Sequence, residues 1–203
     1  GRVQIALARA VGTGVQNLIV SDENMMGSVR ANLRLGGLYD GVGERLARFN
    51  EAFGGSVTHV ALSIRALDSY WASAIGYSLT RGRGVSNPGE CTRLANSPRS
   101  WRDVIMDVVS AMPDAKITVL PFETFAGRPD AQLQAMTNMK TPRDRVGIWS
   151  NATPHLQVLR DIAPAGQAAF LPAGNGRWQP FSQRQQATLR ERYQDDIMWL
   201  NAG

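Results

Sequence analysis

Apolar residues recur along this chain in two rhythms. From Val3 to Val11, Tyr39 to Phe53, Leu67 to Thr80 and Trp101 to Met112 they fall three or four positions apart, the spacing that gives a helix one apolar face. Shorter helices are predicted over Leu133–Met139 and over Asn151–Ile162, the latter with Pro154 near its start. Ser182 stands where an N-cap belongs, ahead of a final long helix reaching Leu200. Ser100 plays the same part before Trp101, and Gly54-Gly55 closes the helix that ends at Phe53. The second rhythm is contiguous. Val57–Ile64 and Lys116–Leu120 are rich in β-branched residues and predict buried strands. Leu18-Ile19-Val20 stops abruptly at Ser21-Asp22-Glu23-Asn24, which predicts a further buried strand ending in a polar loop. The Gly-, Pro- and Asn-rich stretch Gly82–Pro98 reads as a loop.

Strands alternating with helices predict an α/β fold, a parallel sheet flanked by helices. Ligands of such sheets sit at the carboxyl ends of the strands, so the residues just after Val20, Ile64 and Leu120 are the first candidates for chemistry.

Composition narrows the picture. The chain has 203 residues, a length that suits one domain, and 43% hydrophobic residues, enough for a full core. No apolar run approaches the ~18 residues of a membrane span, and the N-terminus lacks a signal-peptide pattern. The first residue is Gly1 rather than Met, so upstream residues are expected. The single cysteine, Cys91, forbids an internal disulfide and makes the reducing cytoplasm the simplest compartment; in its loop it reads as a bystander. His59 and His155 show no metal-ligand spacing. Net charge is +5, and 20 of the 22 basic residues are arginine. Guanidinium forks suit phosphate and sulfate, although a GC-rich genome gives the same bias. The arginines are spread out rather than gathered into a basic stripe with interleaved aromatics, which counts against nucleic acid as partner.

Arg65 follows the Val57–Ile64 run directly, and Ser73 comes eight residues later, about two turns into the next helix. Arginine, hydroxyl and helix N-terminus together suit one anion held from two sides. The bland alternative is an exposed arginine and a helix serine with no ligand. The chain also carries Thr118-Val119-Leu120-Pro121-Phe122-Glu123-Thr124-Phe125 after a strand, and Gly176-Arg177-Trp178-Gln179-Pro180-Phe181-Ser182 before the last helix. In these three segments it resembles the sulfotransferase family, in particular its bacterial members that use 3′-phosphoadenosine 5′-phosphosulfate. The resemblance spans roughly Asn17 to the end.

The resemblance implies a P-loop-like architecture. It also implies that Arg65 and Ser73 hold the 3′-phosphate of the cofactor, with Tyr77 nearby. Glu123 would be structural, and the loop Pro172–Trp178 would cover the cofactor, with Gly174, Asn175 and Arg177 as donors in place of the family's basic pair. The family's Asp-Pro after the arginine is replaced by Ala66-Leu67. Ser21-Asp22-Glu23-Asn24 looks like the Ser-Ser-Glu of bacterial relatives. That likeness makes Glu23 the candidate base that takes the acceptor's proton and Ser21 a substrate-binding residue; the same four residues serve equally well as a helix cap. The expected acceptor is a hydroxyl or amine of a carbohydrate, lipid or small metabolite, and no metal is called for.

The family's Lys/Thr/Gly-rich phosphosulfate loop has no counterpart. Gly12-Thr13-Gly14 follows a helix-like stretch and lacks the basic residue. Two expectations follow: a chain that begins downstream of that loop, or a member that has lost transfer and keeps a nucleotide-binding or scaffold role. A basic α/β module binding RNA is the less favoured third.

Overall fold

The computed structural model describes residues 1–148 and 152–202. The chain opens with α1 (Arg2–Gly12), α2 (Val29–Leu35) and α3 (Val42–Ala52). Then come β1 (His59–Ile64), α4 (Leu67–Thr80), α5 (Pro88–Ala95), α6 (Trp101–Ala111) and β2 (Lys116–Pro121). After β2 follow α7 (Phe122–Phe125), α8 (Pro129–Thr137), α9 (Leu156–Ile162), a 3-10 turn at Ala168–Phe170 and α10 (Gln183–Ala202). The class is α/β: among the described residues two parallel strands, β1 and β2, pair in register from His59 opposite Lys116 to Ile64 opposite Pro121. His59 is used within the sheet, where its Nε2 lies 2.7 Å from Thr118 Oγ1 on the neighbouring strand.

The core gathers around this pair of strands. Leu62 and Ile64 of β1 pack with Trp71, Ile75 and Leu79 of α4, Val104 and Val108 of α6, and Leu189 of α10. The predicted helices from Leu67 and from Trp101 start where expected because apolar periodicity and this shared core agree. Asp103 reaches back to the Ser100 N–H at 2.7 Å, while the Ser100 hydroxyl donates to Asp196 Oδ1 at 2.7 Å. Ser182 caps α10 reciprocally with Gln185: its N–H donates to Gln185 Oε1, and its Oγ accepts from the Gln185 N–H.

Three expectations need correction. Leu18-Ile19-Val20 is not a strand; it is irregular and half-exposed, at 55, 48 and 50%. A strand exists only where a partner completes its ladder, and β1 and β2 pair with each other. The supposed loop Gly82–Pro98 contains α5, where Asn87 caps the Glu90 N–H at 2.9 Å and Pro88 occupies the first turn, so turn-forming letters here start a helix. Cys91 is buried in that helix, and burial pushes its thiol pKa up. The helix expected from Asn151 begins at Leu156, leaving Thr153 and Pro154 in an irregular approach; Asn151 lies outside the described residues. Among the described residues no helix is long and apolar enough to cross a membrane.

Candidate functional site

β1 delivers its last residue into Arg65 at the carboxyl end of the sheet, and one peptide group there is held from both sides. The Arg65 carbonyl accepts from Trp101 Nε1 at 2.7 Å. The adjoining Ala66 N–H donates to Glu123 Oε1 at 2.8 Å, and Glu123 Oε2 accepts from the Tyr193 hydroxyl at 2.8 Å. Burial, followed by the bond to Glu123, raises the Tyr193 pKa, which keeps its hydroxyl protonated as the donor. Trp101 is fixed in turn by Asp196 of α10. That buried carboxylate accepts from the Trp101 N–H at 3.0 Å and the Arg102 N–H at 3.3 Å, which satisfies the start of α6. Glu123 therefore fills the structural part expected of it, tying β2 to the end of β1 and to α10.

The Arg65 side chain lies over the Phe122 ring, 4.4 Å from its centroid. Its pKa falls below the ordinary arginine value, first through burial and further through the nearby positive charge of Arg177, against an opposing pull from Glu123. Two guanidinium groups thus share one neighbourhood. They line a cavity of about 120 Å³ together with Ser69, Ser73, Thr153 and Gln179, over a floor that includes Ala72, Pro154 and Trp178.

Helix α4 supplies the hydroxyls. Ser69 and Ser73 are one turn apart on the face that α4 presents to the cavity, with Ser69 in its first turn, near the positive end of the helix. Ser73 Oγ and Thr153 Oγ1 lie 2.8 Å apart in a hydrogen bond. The backbone carrying Thr153 comes this close because Gly76, a buried glycine inside α4, has no side chain: a Cβ there would sit 2.5 Å from Thr153 Cγ2. Close by, Asp68 is 1% exposed; its Oδ2 accepts from Arg190 Nε at 2.7 Å, and its Oδ1 has no hydrogen-bond partner among the described residues.

Of the residues nominated from the sequence, Arg65, Ser73 and Arg177 meet at this cavity. Gly174 and Asn175 do not line it. The loop Pro172–Gly174 is instead tied down by Arg160, which donates to the Pro172 carbonyl at 2.6 Å and the Gly174 carbonyl at 2.7 Å. Ser21 and Glu23 are exposed and also lie outside the lining; the Asn24 N–H donates to Asp22 Oδ1 in a local turn, and the capping alternative also fails, because the next helix starts at Val29 and is capped by Ser28, whose Oγ accepts from the Ala31 N–H at 3.2 Å. Tyr77 lies farther along α4, with Arg81 on its ring. Sequence reading missed Ser69, Thr153 and Gln179. Ser69 was legible as the position one turn before Ser73; Thr153 was not, being brought in from 80 residues away.

With two guanidinium groups, three hydroxyls and an amide, the lining is built from donors and, among the described residues, contains no carboxylate. That chemistry suits a tetrahedral dianion. The volume is well below the ~300–1,000 Å³ of pockets that swallow a whole drug-sized ligand, so it matches one anionic group rather than an entire nucleotide. Comparison with family models, with curated proteins and with solved structures returns no match.

Proposed function

We propose that this chain is a sulfotransferase-type domain that binds 3′-phosphoadenosine 5′-phosphosulfate, with Arg65, Ser73 and Arg177 on the 3′-phosphate. The observation that carries the proposal is the convergence, on one donor-lined cavity at the carboxyl end of β1, of three residues nominated from the sequence through spacing and the family resemblance. The parallel β1–β2 pair, with Arg65 ending one strand and the Glu123 segment ending the other, is compatible with the P-loop-like architecture. In the reaction so assigned, the acceptor hydroxyl forms a bond to sulfur as the sulfur–phosphate oxygen bond breaks. The acceptor's proton passes to a base, for which Glu23 is the candidate by resemblance, and adenosine 3′,5′-bisphosphate leaves. A second reading, nucleotide binding without transfer, is favoured by a cavity lining that, among the described residues, is made of arginine, hydroxyl, amide and apolar side chains, with no carboxylate or imidazole to serve as base.

Calorimetric titration with adenosine 3′,5′-bisphosphate, beside 5′-AMP as control, tests the site common to both readings. The bisphosphate is expected to bind in preference to 5′-AMP, and Arg65→Ala to weaken it by about 1.5–3 kcal/mol, the scale of a hydrogen bond to a charged group. Equal affinities for the two nucleotides, or an indifferent Arg65→Ala, would remove the assignment. Turnover with labelled phosphosulfate separates the readings: sulfation lost in Glu23→Gln supports transfer, and binding with no transfer supports the second.

A further inference from the structure

A second cationic feature lies at the other end of α4, eight residues or about 12 Å of helix beyond Ser73. Arg30 and Arg34 of α2, Arg81 and Arg83 after α4, and Arg93 of α5 surround one cleft of about 710 Å³ beside Tyr77. Among the described residues the one carboxylate bonded to any of these five is Glu90, paired with Arg83.

Three of the five are held in place. Arg93 donates to the Leu33 carbonyl at 2.8 Å and the Arg34 carbonyl at 3.5 Å, closing the end of α2. Gly36, at φ +78°, makes room for it, since a Cβ there would collide with the Arg93 guanidinium. Arg81 donates from Nε and Nη2 to the Tyr77 hydroxyl at 3.1 and 2.9 Å. Bonds to carbonyls and a phenol orient these cations without neutralising them. Arg30 and Arg34 are both exposed and one turn apart, and their side chains have no hydrogen bond or ion pair among the described residues.

Helix dipoles account for part of this cluster, because Arg34 and Arg81 stand at helix C-terminal ends where cations are favoured. They do not account for Arg30, which sits in the first turn of α2, the end that disfavours a cation. Gathering like charges in a concavity raises their repulsion and focuses their field outward, an arrangement that a multiply charged anion relieves. We infer that this cleft is a second binding site, for a compact oligoanion carrying two or more phosphate or sulfate groups. Its size lies in the range of small-molecule sites. Its single aromatic ring, Tyr77, is already covered by Arg81 at 5.1 Å, so it offers no stacking platform for bases.

Inorganic tripolyphosphate and a fully sulfated disaccharide are the probes, titrated calorimetrically at low and physiological salt with orthophosphate as control. Either probe should bind more tightly than orthophosphate, and the tighter of the two identifies phosphate or sulfate as the natural group. Arg30→Ser combined with Arg34→Ser removes the two side chains that have no internal partner, and is expected to weaken binding about tenfold or more. Arg30→Glu alone should act in the same direction. The urea denaturation midpoint should stay close to the parent value in both variants, which checks folding, and Arg65→Ala, at the other cavity, should leave tripolyphosphate binding unchanged, which keeps the two sites separable. Equal binding of orthophosphate and tripolyphosphate, unaltered affinity in both variants, or binding of a single-stranded oligonucleotide without either small probe would overturn the inference.

Discussion

Replacing Gly76 by alanine sets two opposed effects against each other inside α4. Alanine in a helix interior is favoured over glycine by about 0.8–1 kcal/mol, because the unfolded chain has less backbone freedom to lose. The new methyl would lie 2.5 Å from Thr153 Cγ2, more than an ångström inside ordinary van der Waals separation. Overpacking of that kind costs about 1–3 kcal/mol where the neighbours are fixed. Thr153 is in an irregular segment rather than a helix or strand, so part of the strain is relieved by its retreat. The expected net change in stability is therefore small, from near zero to a loss of about 2 kcal/mol. The retreat carries Thr153 Oγ1 away from Ser73, breaking a 2.8 Å bond and opening the cavity wall. Urea denaturation reads the first effect, and titration with adenosine 3′,5′-bisphosphate reads the second, where a weakening of several-fold is expected. A Gly76→Ala protein stabilised by about 1 kcal/mol, with nucleotide affinity intact, would refute the reasoning, since propensity alone would then have acted.

Glu123→Ala removes the acceptor of both the Ala66 N–H and the Tyr193 hydroxyl; a loss of about 1–3 kcal/mol in a denaturant melt is expected, with weaker nucleotide binding as Arg65 loses its anchored backbone. The two-pronged bond from Arg128 holds the Asp130 carboxyl at about 2, below the usual carboxylate range. Because the folded value is the lower one, its contribution is complete above about pH 4 and is lost as pH falls from there towards 2. Asp130→Asn should flatten the acid limb of a stability–pH curve in that window, and parallel curves for the two proteins would count against the assignment.

Helices α4, α6 and α10 and strands β1 and β2 were legible because local pattern and tertiary burial ask for the same thing at each. Leu67–Thr80 is apolar at helical spacing and also lies on the core. Leu18-Ile19-Val20 shows the limit: three strand-forming residues say nothing about whether a neighbouring strand is there to receive their hydrogen bonds. Asn87-Pro88-Gly89 shows another, since residues that break a helix inside it begin one at its first turn. At the cavity, Arg65 and Ser73 were found through a spacing that survives in one dimension. Thr153, Gln179 and the Glu123–Ala66 bond depend on which distant loops the fold brings together, and Gly76 discloses its purpose only when Thr153 is seen against it.

The doubly held peptide between Arg65 and Ala66 bears on the order in which the protein acquires its binding competence. One clamp, Trp101, is steadied by Asp196, 95 residues later, and the other, Glu123, by Tyr193, 70 residues later. At the ~5–20 residues per second of protein synthesis, α10 follows Trp101 off the ribosome by roughly 5–20 s. During that interval β1, β2, α4 and α6 are free to assemble their apolar contacts, while the guanidinium that defines the site still lacks its final aim. The last helix to be made thus acts as a checkpoint: a nascent chain can collapse before the Arg65–Ala66 peptide is clamped, and the proposed anion site is fully assembled only when α10 docks.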